Sequence, residues 1–340
     1  MKTQTFKESQ KEWMIEWRKI HLSQIQEFGK QNGKYYPHII PREKDHLKHV
    51  LCKLCDKLPV YLEENPDIQA HTGTHNLLSS WITAANLYFP IRVNDSLQKL
   101  MLKFLQNHVS TEIIEITDVE LEFAFPLGNK LNPEALLGEL GGSRGSGQTS
   151  PDVAFRVKTR TGKGIILTEC KYTEHSFYGC SARKIDETKD RINNPDPKIC
   201  LKPANSCDYS SICHQKVWKR KYLSLITFSE SAKNKLKYCP AATAGYQLLR
   251  QQALAEGIAQ SGEFDLVAST VAFDGRNADL IGCLRTTGIH DFQNDWAGLF
   301  DGKALFKTWK HQEWVQFVRD NQINGEFADW VEYMDERYGY

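Results

Sequence analysis

The stretch Gln148–Glu174, Q-T-S-P-D-V-A-F-R-V-K-T-R-T-G-K-G-I-I-L-T-E-C-K-Y-T-E, constrains the fold more than any other. Val153–Thr159 alternates apolar and polar residues, Arg160–Gly164 offers Gly-containing turn chemistry, and Ile165–Thr173 is rich in β-branched and aromatic residues. Together these predict a β-hairpin. Residues equidistant from a turn oppose each other in an antiparallel pair. A turn centred between Thr161 and Gly162 therefore sets Asp152 against Lys171, with Glu169 one diagonal step away. Alternation along the strand puts Glu169 and Lys171 on one face and Cys170 on the other. Two carboxylates and an ammonium converge at the hairpin's end.

Hard carboxylate oxygens suit Mg²⁺, which keeps several of its waters. The bound ion can stabilise a crowded phosphate and acidify an attacking water. A lysine beside it can position that water, or take its proton if the cation depresses the lysine's pKa. The plainer reading of the same residues is a surface hairpin with a cross-strand Asp–Lys pair.

The elements S-P-D (Ser150–Asp152) and E-C-K (Glu169–Lys171), with sixteen residues between the two acids, resemble the PD-(D/E)xK nuclease signature. The upstream L-E-F-A-F-P (Leu121–Pro126) and downstream Y-Q-L-L-R (Tyr246–Arg250) fall in the order seen in a group of bacterial restriction-endonuclease-like proteins. The resemblance spans roughly Asn76 to Leu254; Cys170 departs from it, standing where the group usually has an apolar residue such as valine. It implies an α/β fold: a restriction-endonuclease-like αβββαβ core with a central mixed sheet and an N-terminal helical subdomain. It also implies a catalytic set of Asp152, Glu169, Lys171, Glu122 and Gln247. The metal ligands would be Asp152, Glu169, Glu122 and the backbone carbonyl of Cys170, holding Mg²⁺ with Mn²⁺ as substitute. Glu134 and Glu139 are alternatives to Glu122, which could equally decorate a solvated face with Glu120. The implied activity is DNA phosphodiester hydrolysis of the restriction or defence type, leaving a 5′-phosphate. The alternative is a catalytically inactive nucleic-acid-binding or assembly module on the same fold.

Composition bounds the rest. With 340 residues, 41% hydrophobic and 25% charged, the chain can bury a large core. A net charge of +1 means that any field attracting DNA must be local. The N-terminus has no apolar signal core and no apolar run reaches membrane-span length, so the expected location is cytoplasmic, away from membranes. Nine cysteines without a secretion signal are expected as reduced thiols. Cys180, Cys200, Cys207, Cys213 and Cys239 follow the hairpin, with His214 beside one. Their wide spacing favours unligated thiols over a structural zinc or iron–sulfur centre. Cys52 and Cys55 sit in a helical pattern and read as core.

In chain order, helices are expected at Lys7–Gly29, Lys44–Leu62, His75–Pro90 (buried, ended by its proline) and Asp95–His108. His75, Ser79 and Ser80 could face the site, though core packing is the stronger reading. Asp118–Phe125 reads as a strand. The glycine-dense Gly138–Ser150 loop contains no GxxxxGK[ST] and so gives no P-loop; its Arg144 and Gln148 are candidate substrate contacts. Tyr178–Ser211 reads as an irregular insertion. Lys216–Lys221 clusters cations around Trp218, which suits phosphate contact and base stacking, or a solvated helix face. Tyr222–Phe228, Phe264–Phe273 and Gly282–Arg285 read as strands, and Ala241–Gln260 and Ala297–Asn321 as helices. The expected organisation is a helical region (1–110), a nuclease core (111–290) with an insertion near 178–215, and a C-terminal helical extension (291–340). Cutting both strands with one site per chain would call for a homodimer.

Overall fold

The computed structural model describes residues 4–43, 45–69, 72–185, 187, 191–203 and 208–340. A small ribbon, β1 (Gly29–Gln31) and β2 (Lys34–Tyr36), precedes a central sheet of β3 (Ile113–Leu121), β4 (Val153–Thr159), β5 (Lys163–Lys171), β6 (Leu266–Phe273) and β7 (Leu305–Lys310). The five strands lie side by side in chain order. β3, β4 and β5 are antiparallel, whereas β6 and β7 run parallel to β5, so the sheet is mixed. The Asp95–His108 helix leads into β3, and the Tyr246–Gln260 helix links β5 to β6.

β4 and β5 form the expected hairpin, two residues out of the expected register. Val153 faces Thr168 and Lys158 faces Lys163, which brings Asp152 level with Glu169 rather than Lys171. The turn explains the slip. Thr159 N–H donates to the Gly162 carbonyl at 2.9 Å, and its hydroxyl accepts from Gly162 N–H at 3.0 Å, centring the turn between Arg160 and Thr161. A slip of two preserves the faces, because side chains alternate with period two.

β5 is buried on both faces past its first residue. One layer joins Phe155, Ile166, Cys170 and Tyr172 of the sheet to the Ser80–Val93, Asp95–His108, His311–Asn321 and Ala328–Tyr338 helices. The opposite layer joins Ala154, Ile165, Leu167 and Val271 to the Tyr246–Gln260 helix. Each fully buried Ile, Leu or Phe in these layers contributes roughly 1.5–3 kcal/mol.

Several elements differ from expectation. The Ser80–Val93 helix runs through Pro90 instead of ending there. The proline cannot bond the Asn86 carbonyl, and Trp330 Nε1–H donates to that oxygen at 3.1 Å instead. The first helix is Phe6–His21, and Gly29 belongs to β1. Lys44 lies outside the described residues; Leu47–Val50, Lys53–Cys55 and Leu58–Glu64 are three short turns rather than one helix. Cys52 and Cys55 are core thiols, with Sγ atoms 3.3 Å apart. β3 starts earlier than expected and ends at Leu121. Tyr222–Leu225 is a helical turn, as is Ala278–Gly282, so neither expected strand forms. The expected Ala241–Gln260 helix starts only at Tyr246. The expected Ala297–Asn321 helix is divided, because Leu305–Lys310 pairs with β6 as a sheet edge before the His311–Asn321 helix.

Candidate active site

The ends of β3, β4 and β5 meet the N-terminus of the Tyr246–Gln260 helix around a cavity of about 210 Å³. Glu122, Asp152, Glu169, Lys171 and Gln247 all line it, joined by Ser80, Thr149, Ser150, Glu174, Tyr178 and Arg250. Cys170 turns its thiol away from the cavity, into the layer it shares with Phe155, Ile166 and Tyr172. Its N–H donates to Asp152 Oδ2 at 2.6 Å, tying the hairpin's two strands together at the cavity floor.

Charge is crowded here. Lys171 Nζ donates to Glu169 Oε1 at 2.7 Å, with side chains only 4% and 11% exposed. Burial pulls the Lys171 ammonium pKa down, but Glu169, Glu174 and Asp152 outweigh it and hold the group charged, well above its ordinary value. Burial and the Glu169 carboxylate push Asp152 up, against the pull of Lys171. Burial, then Asp152 and Glu169, likewise raise Glu122. Three acids short of cations suit a divalent ion, and the orphaned buried oxygens of Ser150 and Gln247 on the same cavity suit ordered waters or ligand around it. In this arrangement Lys171 supplies the countercharge, and among the described residues no three His, Cys, Asp or Glu side chains already form an ion cage.

Glu122 owes its position to strain. It is the residue after β3 and takes φ +47°, a left-handed conformation uncommon outside glycine. Its N–H donates to the Asp152 carbonyl at 3.0 Å. Arg144 clamps the turn: Nε donates to the Glu122 carbonyl at 2.9 Å and a terminal nitrogen to the Leu121 carbonyl at 2.8 Å. Arg144 is thus a buried brace rather than a substrate contact. Next to it, Gly145 (φ +82°) leaves room for the Glu122 carboxyl, which a Cβ there would meet at 2.9 Å.

Glu139 is not on the cavity. It accepts from Thr149 N–H at 2.5 Å, from Tyr222 Oη at 2.7 Å and from Arg250 at 3.0 Å, so it anchors the loop and helix that border the site. Ser80 reaches the cavity, while His75 lines a separate cleft beside the β1–β2 ribbon. Gln148 lines the cavity. In the Lys216–Lys221 cluster, Trp218 packs 4.0 Å from the Arg191 guanidinium, and Lys221 Nζ bonds the Ala135 carbonyl at 3.0 Å, so part of it braces loops.

Glu174, Thr149 and Arg250 were missed as site residues. Glu174 lies in the same stretch, and its Oε2 accepts from Tyr172 N–H at 2.8 Å, a turn that folds it back towards Lys171. Behind the site, the neutral His311 ring, pushed down to about 4 by burial, bonds the Lys171 carbonyl through Nε2 at 3.2 Å. Tyr88 Oη lies 3.1 Å from Nδ1 and also accepts from Trp309 Nε1 at 3.0 Å, so the strand end is held by a closed polar chain.

The mixed five-stranded sheet with helices packed on both faces is consistent with a restriction-endonuclease-like fold. The chain matches the family described as Restriction Endonuclease associating with ARP (REase-ARP) over residues 16–339, and it belongs to that family. Comparison with curated proteins and with solved structures gave no match. No described helix is long and apolar enough to cross a membrane.

Proposed function

We propose that this protein is a Mg²⁺-dependent endonuclease that hydrolyses DNA phosphodiester bonds, of the restriction or defence type, acting in the cytoplasm as a homodimer. The observation that carries the reading is the convergence of Asp152, Glu169, Lys171, Glu122 and Gln247 on one cavity, from four separate elements. The segment from the Asp95–His108 helix through β6 would supply the αβββαβ core. Asp152, Glu169 and Glu122, with the Cys170 carbonyl, would hold the ion. When bound, Mg²⁺ (or Mn²⁺) neutralises phosphate charge and acidifies water.

The protein's own groups do the rest. Lys171 stays an ammonium against its carboxylates, so its part is to orient water and oppose charge developing on the phosphate rather than to accept a proton. Gln247 would fix the nucleophile through its free buried oxygen. Arg250, held by Glu139, adds positive charge at the rim. The products would carry a 5′-phosphate.

The test is plasmid cleavage in Mg²⁺, Mn²⁺ or EDTA by wild type, Asp152→Asn and Gln247→Ala. Discrete metal-dependent bands, absent with Asp152→Asn and weaker with Gln247→Ala, are expected. Cleavage that persists in EDTA or in Asp152→Asn would overturn the assignment. Tight DNA binding without cleavage under every metal condition would instead mark a binding module.

A further inference from the structure

Downstream of the hairpin, Cys180, Cys200, Cys213 and Cys239 are free thiols, and Cys207 lies outside the described residues. A ligand is signalled elsewhere, at the cleft of about 460 Å³ beside the β1–β2 ribbon. The ribbon is a tight hairpin. Gln31 faces Lys34 across Asn32 and Gly33, which take φ of +49° and +80°, the geometry of an Asn-Gly type I′ turn. Two strands this short are marginal alone, so the ribbon depends on what holds its base. Arg18, buried on the Phe6–His21 helix, holds it: the guanidinium donates to the Ile25, Pro37 and Ile39 carbonyls at 3.0, 2.6 and 3.3 Å, and to that of Glu27. Gly29 N–H adds a bond to the Ile39 carbonyl at 2.7 Å. Taking a cation out of water is costly, and here it fixes a surface ribbon.

Phe28 and Tyr35 line the cleft with 48% and 65% of their surface exposed. Single exposed apolar residues are ordinary, but two aromatics on one cleft mark a binding surface. Each ring is already steadied by a cation. The Arg18 guanidinium lies 4.9 Å from the Phe28 centroid and the Lys30 ammonium 5.5 Å from that of Tyr35. His75 closes the inner wall and is buried. Its Nε2 lies 3.5 Å from the Lys30 carbonyl, and its Nδ1 is left without a hydrogen-bond partner, the Thr72 carbonyl being the last of the influences on the ring. Burial above all holds the imidazole pKa below its ordinary value, so the ring is neutral at pH 7 and Nδ1 can serve as donor or acceptor by choice of tautomer.

Lys30 and Arg42 line the same cleft against one acid, Glu27. Aromatic faces, a neutral polar edge at the back and cations at the rim match the three needs of an unstacked nucleobase: stacking, hydrogen bonding along its edge, and countercharge for its phosphate. A bare phosphate or an acidic peptide would use the cations and leave the two rings and His75 without a role.

The cleft lies close to the acids. Ile40 N–H donates to the His75 carbonyl and Leu77 N–H to the His38 carbonyl, at 3.0 Å each, tying the chain after the ribbon to the segment that runs on to Ser80 at the acid cavity. The five residues from His75 to Ser80 span at most about 18 Å, or about five nucleotides of a DNA strand at about 3.4 Å each. We infer that the cleft of Phe28, Tyr35 and His75 takes one unstacked base of a DNA strand, within about five nucleotides of the phosphodiester held at the acid cavity. The spacing rests on the reading of the acid cavity as the cleavage site; base binding in the cleft does not.

The experiment offers the full chain, in EDTA, two short dye-labelled deoxyribose strands: one abasic throughout, the other carrying a single central 2-aminopurine. Affinity is read by anisotropy and stacking by 2-aminopurine fluorescence. The strand with the base is expected to bind about tenfold more tightly, with its fluorescence quenched, as one base–aromatic stack provides. Tyr35→Ala and Phe28→Ala, at positions exposed enough to leave the fold intact, are expected to remove the difference, whereas Leu127→Ala, exposed outside the cleft, keeps it. A strand with 5-iodouracil in place of the 2-aminopurine is expected to photocrosslink to the Phe28–Tyr35 segment. Equal binding of the two strands, a difference that survives both variants, or crosslinks only elsewhere would each overturn the site. Binding of neither strand would overturn it as well and leave the ribbon to a protein partner. No readout depends on cleavage, so an inactive acid cavity would remove the spacing while the base site stood.

Discussion

Replacing Lys171 by methionine removes the cation that balances the acid cavity while keeping most of its volume. The Lys171–Glu169 pair is 2.7 Å long and nearly free of solvent. Breaking one side of a buried pair costs about 3–5 kcal/mol, because the remaining charge is stranded. The opposite substitution, Glu169→Gln, is expected to cost less, since Glu174 and Asp152 still face the ammonium. The deficit of Lys171→Met depends on pH in a defined direction. Asp152 and Glu122 already have native pKa values above their ordinary 3.8 and 4.5, so the native state holds more protons than the unfolded one there. Stability therefore falls as pH rises above that range. Without the lysine this fall steepens, so the variant is closest to wild type near the ordinary carboxylate range and furthest at mildly alkaline pH, below the ordinary lysine value of 10.5, above which wild type itself begins to lose the stability that its raised Lys171 supplies. Mg²⁺ is expected to restore the variant's stability at alkaline pH without restoring cleavage. Urea unfolding followed by tryptophan fluorescence, at acidic and alkaline pH with EDTA or Mg²⁺, measures all of this. A midpoint for Lys171→Met equal to wild type in alkaline EDTA would refute the charge balance described here.

Three further outcomes are expected. Gly145→Ala places a Cβ against Glu122 and the Gln69 carbonyl at positive φ; about 1–3 kcal/mol of strain is expected, with metal affinity, read by calorimetry, falling more than global stability. Asn86→Ala removes a buried amide that accepts from Cys52 N–H at 2.7 Å and donates to the Val50 carbonyl and Tyr338 Oη at 3.0 Å each; roughly 3 kcal/mol should be lost at about 1 kcal/mol per bond, checked by urea midpoint. Arg144→Ala frees the Leu121 and Glu122 carbonyls and should cost roughly 2–3 kcal/mol. Its cleavage rate, measured at a temperature where the variant is folded, should drop because Glu122 loses its brace.

The hairpin and its acids were legible because their signal is local: period-two alternation, a glycine turn and carboxylates at fixed distance from that turn. The two-residue slip was not legible, because Thr159 capping Gly162 is a choice of one side-chain hydrogen bond among near-equals. Glu122 could be named from its motif, yet its left-handed backbone depends on Arg144, more than twenty residues away. β7 escaped for a similar reason. L-F-K-T-W-K carries too few residues to separate strand from helix, and its partner β6 is remote in sequence. Pro90 misled because the bond that excuses it comes from Trp330.

Tyr172, the residue after Lys171, donates its hydroxyl to Gln10 at 2.9 Å and packs edge-on against Tyr338, their rings 5.5 Å apart. The strand bearing Lys171 is thus backed by the first and last helices described. Along the chain the three acids, Glu122, Asp152 and Glu169, precede the Ala328–Tyr338 helix that forms part of the wall behind them by more than 150 residues. The support of the acid cluster is therefore long-range: the tip of β5 is walled by helices far from it in sequence on both sides.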